Sequence, residues 1–198
     1  MASLRLTDGE LAKIIYNGII NTLILGGGYD AVRCSQKNGY PMIGIGKWIG
    51  NNADDIFNEV DGGAKFIDTP YKHFDNHEEA MGELKALLRS GKSIEVQNKL
   101  LARDCTYYVS RLTHHNRLTN PLCIIYCGMW SVIGVEDIVR FIKSIPDRVD
   151  KDNLNNLAEF FESDFSLDSH IELGLGSDEV TEISEAVYNY VFEYFHTL

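Results

Sequence analysis

Between Gly26 and Ala53 the chain reads GGGYDAVRCSQKNGYPMIGIGKWIGNNA, and this is where any chemistry should sit. Gly26, Gly27 and Gly28 permit positive φ and close approach of backbone to a ligand. Tyr29, Tyr40 and Trp48 add flat faces with polar handles, suited to stacking and hydrogen bonding together. The run MIGIGKWI from Met42 to Ile49 predicts a brief strand or ribbon, with glycines where something approaches closely. Asp30 is the only acid between Gly26 and Ala53, so paired-carboxylate chemistry would need a second group from elsewhere in the chain.

The same segment resembles the active-site stretch of the lysozyme-like peptidoglycan hydrolases (muramidase and chitosanase-like) of phages and Gram-positive bacteria. That stretch reads roughly E-G-x-Y-G-S-V, an aspartate a few residues on, then G-A-x-S-I-G-x-x-Q-W-H-G-N-R-A. The frame survives here as Gly27, Tyr29, Val32, Gly39, Ile43, Gly44, Trp48, Gly50, Asn51 and Ala53, with one extra residue before the tryptophan. The acids do not survive. Gly26 stands where the family has its catalytic glutamate, about Gln36 where it has the aspartate, and Lys47 where it has the glutamine before the tryptophan. Glycoside hydrolysis needs one carboxylic acid to protonate the leaving oxygen and one carboxylate on the other face of the sugar. Glycine can do neither. The resemblance thus implies a mainly α, lysozyme-like α+β fold with a short β-ribbon and a buried central helix. It implies glycan contacts at Tyr29, Lys47, Trp48, Gln97 and Tyr108, with Asp30 and Asp104 as the weak catalytic candidates.

The elements that must hold this segment are helical. Thr7 and Glu10 form a capping box with Leu6 and Leu11 as its staple, and Leu11, Ile14, Ile15, Ile19 and Leu23 share one face, predicting a helix to about Leu25. Asn52 is expected to cap a short helix through Ile56, Phe57 and Val60 that ends at Gly62-Gly63. His73 and His77 are four apart near Asp75 and Glu78, but short motifs match by chance often, and a polar loop meeting a cap at Asn76 is the reading. A helix over 76–90 carries Ala80, Leu84, Leu87 and Leu88 and is closed by Gly91.

On the next helix, beginning near Ser93, Gln97, Leu100, Leu101, Asp104, Tyr108, Arg111 and Leu112 form one stripe. An acid inside such a stripe needs a partner. Asp104 is either a cleft-facing group or a structural acid bonded to Tyr108, Arg111 or a helix terminus, with the structural role ahead. The resembled family has a similar helix with a glutamine, an aspartate seven residues on and an aromatic after it. Thr119-Asn120-Pro121 starts a helix whose Leu122, Ile124, Ile125, Tyr126, Met129 and Trp130 cover every face, as a central buried helix does. Ser131-Val132-Ile133-Gly134 replaces the polar N-Q-G that the family places along its cleft. Val135 to Ile142 gives an amphipathic helix stopped by Pro146, Leu154 to Phe161 another, and Ser177 caps the last. Asp164, Asp168, His170 and Glu172 lie in a solvated connection between the latter two.

Composition limits the function classes. At 198 residues, 44% hydrophobic and 24% charged, one globular domain over 1–198 is expected, with no repeat or low-complexity segment. The formal charge of −11 disfavours nucleic acid, anionic membranes and an anionic cell wall, and favours a basic partner. Cys34, Cys105, Cys123 and Cys127 have no framework spacing and read as reduced thiols. No metal or cofactor is implied. The N-terminus lacks the pattern of a signal peptide and no apolar run reaches the ~18 to 20 residues of a membrane span. The expectation is cytoplasmic synthesis and, if the protein is exported, release by lysis, particle assembly or another signal-free route. Three functions follow: a degenerate, non-catalytic protein that binds glycan or serves as a phage-associated structural component, an active hydrolase with relocated carboxylates, and an acidic partner-binding inhibitor.

Overall fold

The computed structural model describes residues 5–21, 28–34, 41–48, 50–67, 77–133, 142–163 and 177–196. The protein is mainly α-helical. Its elements are α1 (Asp8–Asn21), β1 (Val32–Cys34), β2 (Pro41–Ile43), α2 (Asn51–Glu59), α3 (His77–Leu88), α4 (Gly91–Ser110), α5 (Pro121–Ile133), α6 (Leu154–Ser163) and α7 (Ser177–His196). A 3₁₀ turn over Gly63–Phe66 follows α2, and a π-helical turn over Arg111–His115 extends α4. Among the described residues no helix is long and apolar enough to cross a membrane.

Helix α1 begins as its capping box dictates. The Thr7 backbone N–H and hydroxyl both donate to Glu10 Oε2 (2.7 and 2.8 Å), and the Glu10 N–H donates to Thr7 Oγ1 (3.3 Å). Those bonds hold the Glu10 carboxyl below its usual range. Leu11, Ile14, Ile15 and Ile19 bury one face. Close approach decides what this face meets: a Cβ on Gly128 of α5 would overlap Ile15 Cδ1, and one on Gly18 would lie 2.6 Å from Tyr190 Cε1 of α7. Tyr190 also donates its hydroxyl to the Ile14 carbonyl (2.9 Å).

Helix α5 is the buried axis. Every residue from Cys123 to Ile133 is buried. Asp152 clamps its start by accepting from the Thr119 N–H and hydroxyl and the Asn120 N–H, which satisfies donors a helix start leaves open. Phe161 of α6 packs edge-on to Tyr126 (5.4 Å) and tilted against Trp130 (5.2 Å), and the Tyr126 and Ser184 hydroxyls bond at 2.9 Å. One apolar cluster runs through the described helices from Leu11 to Val191. Cys105, Cys123 and Cys127 are free and buried in it, and burial pushes the Cys105 and Cys123 thiols up to about 12.

Local expectations are corrected at three places. The strand expected across Met42 to Ile49 stops at Ile43: Gly44 (φ 72°) and Lys47 (φ 54°) reverse the chain, and Trp48 returns to Ile43 through two backbone bonds of 2.9 Å. Met42, Ile43, Ile45 and Trp48 are all buried, so the alternation does not separate an inner from an outer face. Asn52 does not cap α2; Gly50 does, at φ 59° and ψ −136°, where a side chain is strained. Gly91 opens α4 instead of closing α3, because Ser90 is the cap and its hydroxyl accepts from the Ser93 N–H (3.3 Å). The expected ends of the helices near Leu25 and Asn76, the Val135 to Ile142 helix and the Asp164 to Glu172 connection fall wholly or largely outside the described residues.

Candidate functional site

The ribbon sits on α4. Val32 pairs with Ile43 and Arg33 with Met42 in antiparallel register, and the Gly44 N–H donates to the Ala31 carbonyl (2.8 Å). The turns around Tyr29 and Ile45 are thereby brought to one position on the helix, where Gln97 holds both. Its Oε1 accepts from the Ile45 N–H (3.1 Å), and its Nε2 donates to the Tyr29 carbonyl (3.1 Å), the Leu88 carbonyl (3.2 Å) and Ser93 Oγ (3.0 Å). Gln97 is completely buried, so its polar groups face protein and not a ligand. Gly44 is required here twice over: its φ is positive, and a Cβ would collide with Gln97 Oε1.

Trp48 lies two turns further along α4. Its indole is 3% exposed, and Nε1–H donates to Asp104 Oδ2 at 2.7 Å. Gly46 lies against the indole so closely that a Cβ would overlap the ring. Asp104 Oδ1 accepts from Arg103 (Nη2 at 3.1 Å), and Arg103 in turn donates to Asn52 Oδ1 (3.0 Å) and faces Asp55 (3.6 Å). The partners expected for Asp104, namely Tyr108, Arg111 or a helix terminus, are therefore replaced by a ribbon indole and the neighbouring arginine. Tyr108 is half-buried against the core and meets Tyr107 edge-on, while the Arg111 guanidinium lies 5.7 Å from the Tyr107 ring centre.

The remaining candidates are also engaged. Asp30 Oδ2 is gripped by Arg89 through Nε (2.7 Å) and Nη2 (2.5 Å). Arg89 precedes the first turn of α4 and Arg103 lies in its fourth, roughly 20 Å further along at 1.5 Å per residue, so the two acids are anchored at different levels of the helix. Tyr29 donates its hydroxyl to Asn98 Oδ1 (2.6 Å), and burial raises its pKa. Lys47 is 8% exposed in a left-handed conformation. Tyr29, Trp48, Gln97 and Asp104 thus come together on one side of α4, and Asp30 reaches its Arg89 end. Gly26, Gln36 and Tyr40 lie outside the described residues, as does the His73 to His77 loop up to the side chain of His77. Among the described residues no three His, Cys, Asp or Glu side chains converge as metal ligands do.

Sequence reasoning missed Asn98, Ser93, Arg89 and Arg103, which complete the bonds of this cluster. Arg103, four residues before Tyr107 and beside Asp104, carries no periodic signal because its partners come from α2 and from the adjacent residue. Neither a family model, nor a curated protein, nor a solved structure matches this chain.

Proposed function

We propose that this chain is a degenerate lysozyme-like α+β protein without hydrolytic activity, serving as a structural or partner-binding component, associated with a phage particle or released on lysis. Support for the likeness is the order of elements: a capped helix, a two-stranded ribbon with its tryptophan, and further helices around a buried α5. The observation that carries the non-catalytic reading is the bond from the buried Trp48 indole to Asp104, the best-placed acid. An acid that must protonate a leaving group has to present a proton to substrate, whereas this carboxylate already accepts from an indole and an arginine. Asp30, the other candidate, sits in an ion pair with Arg89. A glycan role at Trp48 is disfavoured by the same burial, since stacking needs an open ring face and this one is covered.

The test is an assay on purified protein against peptidoglycan suspensions and soluble chitooligosaccharides. Turbidity and reducing-end content are expected to stay at the blank. Release of reducing ends that disappears in Asp104→Asn or Asp30→Asn would restore the hydrolase.

A further inference from the structure

Helix α7 carries an aromatic stripe on its outer side. Tyr188 and Phe192, one turn apart, stack at 6.0 Å with their planes 13° from parallel, and the His196 ring continues the stripe 4.2 Å beyond Phe192. Phe192 is 46% exposed. Only Tyr107 is also a strongly exposed large apolar residue among the described ones, and its ring is faced by Arg111. The Tyr188 hydroxyl donates to Asn155 Oδ1 of α6 (2.8 Å), so the stack is held in place at the seam of α6 and α7.

The charge around this stripe is not the average of the chain. All 18 lysines and arginines lie at or before Lys151, and the acids of that part equal them in number. From Asp152 onward there are 11 acids and no lysine or arginine, so the entire formal charge of −11 belongs to the last quarter of the sequence. Glu159 and Glu162 of α6 and Asp178, Glu182, Glu185 and Glu193 of α7 are exposed. An exposed aromatic stack on a stretch of chain that carries carboxylates and no lysine or arginine matches one kind of occupant best. Guanidinium groups stack on aromatic faces while donating to carboxylates, and long-range attraction steers a cation to such a surface. A nucleic acid would be repelled, and a copy of the same helix face would meet like charge.

We propose that the outer face of α7, with the adjoining edge of α6, docks an arginine-rich segment of a protein partner, one guanidinium lying on the Tyr188–Phe192 stack. None of the residues of the Trp48 cluster takes part. The inference therefore stands or falls separately from the non-catalytic reading of that cluster.

The probe is a synthetic amphipathic peptide with arginines and leucines on one face, titrated into the full chain and followed by amide and aromatic chemical shifts. Shifts are expected at Tyr188, Phe192 and His196, with affinity about tenfold weaker in Phe192→Ala, the scale of a truncated aromatic anchor. Raising salt from about 0.05 to 0.5 M should weaken binding by a further factor of about ten through screening. Glu182→Gln with Glu185→Gln leaves the apolar packing intact and is expected to weaken binding as well, so the reading does not depend on how Phe192→Ala folds. Asp61→Asn, on the turn after α2, should leave affinity unchanged. Equal binding by Phe192→Ala, equal loss on Asp61→Asn, or shifts confined to other helices would overturn the proposal. So would the same α7 shifts on adding chitotetraose, which would make the stripe a sugar platform.

Discussion

Trp48 shows how one side chain can change role without changing identity. The type is that of a sugar-stacking residue, but the indole is buried and its single donor is committed to Asp104. Gln97, seven residues before that acid, is likewise a backbone clamp, joining two ribbon turns to α4 with both ends of its amide. A hydrogen bond to a charged group contributes about 1.5 to 3 kcal/mol, and less where water reaches the acceptor. The double-mutant cycle of Trp48→Phe and Asp104→Leu, measured by urea unfolding followed in the far ultraviolet, should give a coupling energy of about 1 kcal/mol. A coupling near zero would mean that the indole is retained for its volume alone, and the polar half of this account would be discarded. Both candidates were legible in the sequence as residue types. Their direction was not, because periodicity on α4 places Asp104 on a stripe but does not say which element of the fold covers that stripe.

At the scale of elements, glycine conformation determines where helices begin and where the ribbon turns. Gly50 and Gly82 both have open space where a Cβ would go, yet Gly50 sits at φ 59° while Gly82 is inside α3. Gly50→Ala should therefore destabilise by about 1 to 3 kcal/mol. Gly82→Ala should stabilise by about 0.5 to 1 kcal/mol, through the lower entropy of the unfolded chain and better helix propensity. Thermal unfolding of the two variants under one buffer checks the opposite signs, and two shifts of the same sign would show that backbone conformation does not control the start of α2. The capping box at Thr7 was readable because all its atoms lie within four residues. The cap of α2 was not, since Asn52 is the better capping type, whereas the cap is Gly50, two residues earlier, which has no side chain to signal it.

For the whole molecule, the core and the charge are distributed by different rules. Apolar residues from α1 to α7 join one cluster, whereas charge is segregated, balanced up to Lys151 and wholly acidic after it. Helix α4 is laced with ion pairs such as Lys99–Glu95 (2.7 Å) and Arg103–Asp104 (3.1 Å), and the sequence of α7 itself contains no lysine or arginine. Salt screens attraction and repulsion alike. Amide exchange in about 0.01 M and about 0.5 M sodium chloride should therefore show protection rising in α7 relative to α4. A uniform change across both helices would indicate that the acidic tail is not electrostatically strained.

Patterning alone determined the helical class, the capped start of α1 and the buried nature of α5, because each depends on contacts between residues three or four apart or on an apolar character all round. It also determined the acidic balance, which is a matter of composition. Only the tertiary structure decided that Trp48 of the ribbon and Asp104 of α4 face one another. It likewise decided that Phe192 of α7 faces outward with Tyr188 stacked on it. Such outcomes depend on which element packs against which, and that is set by close approaches such as Gly18 to Tyr190 and Gly128 to Ile15, between residues more than a hundred positions apart.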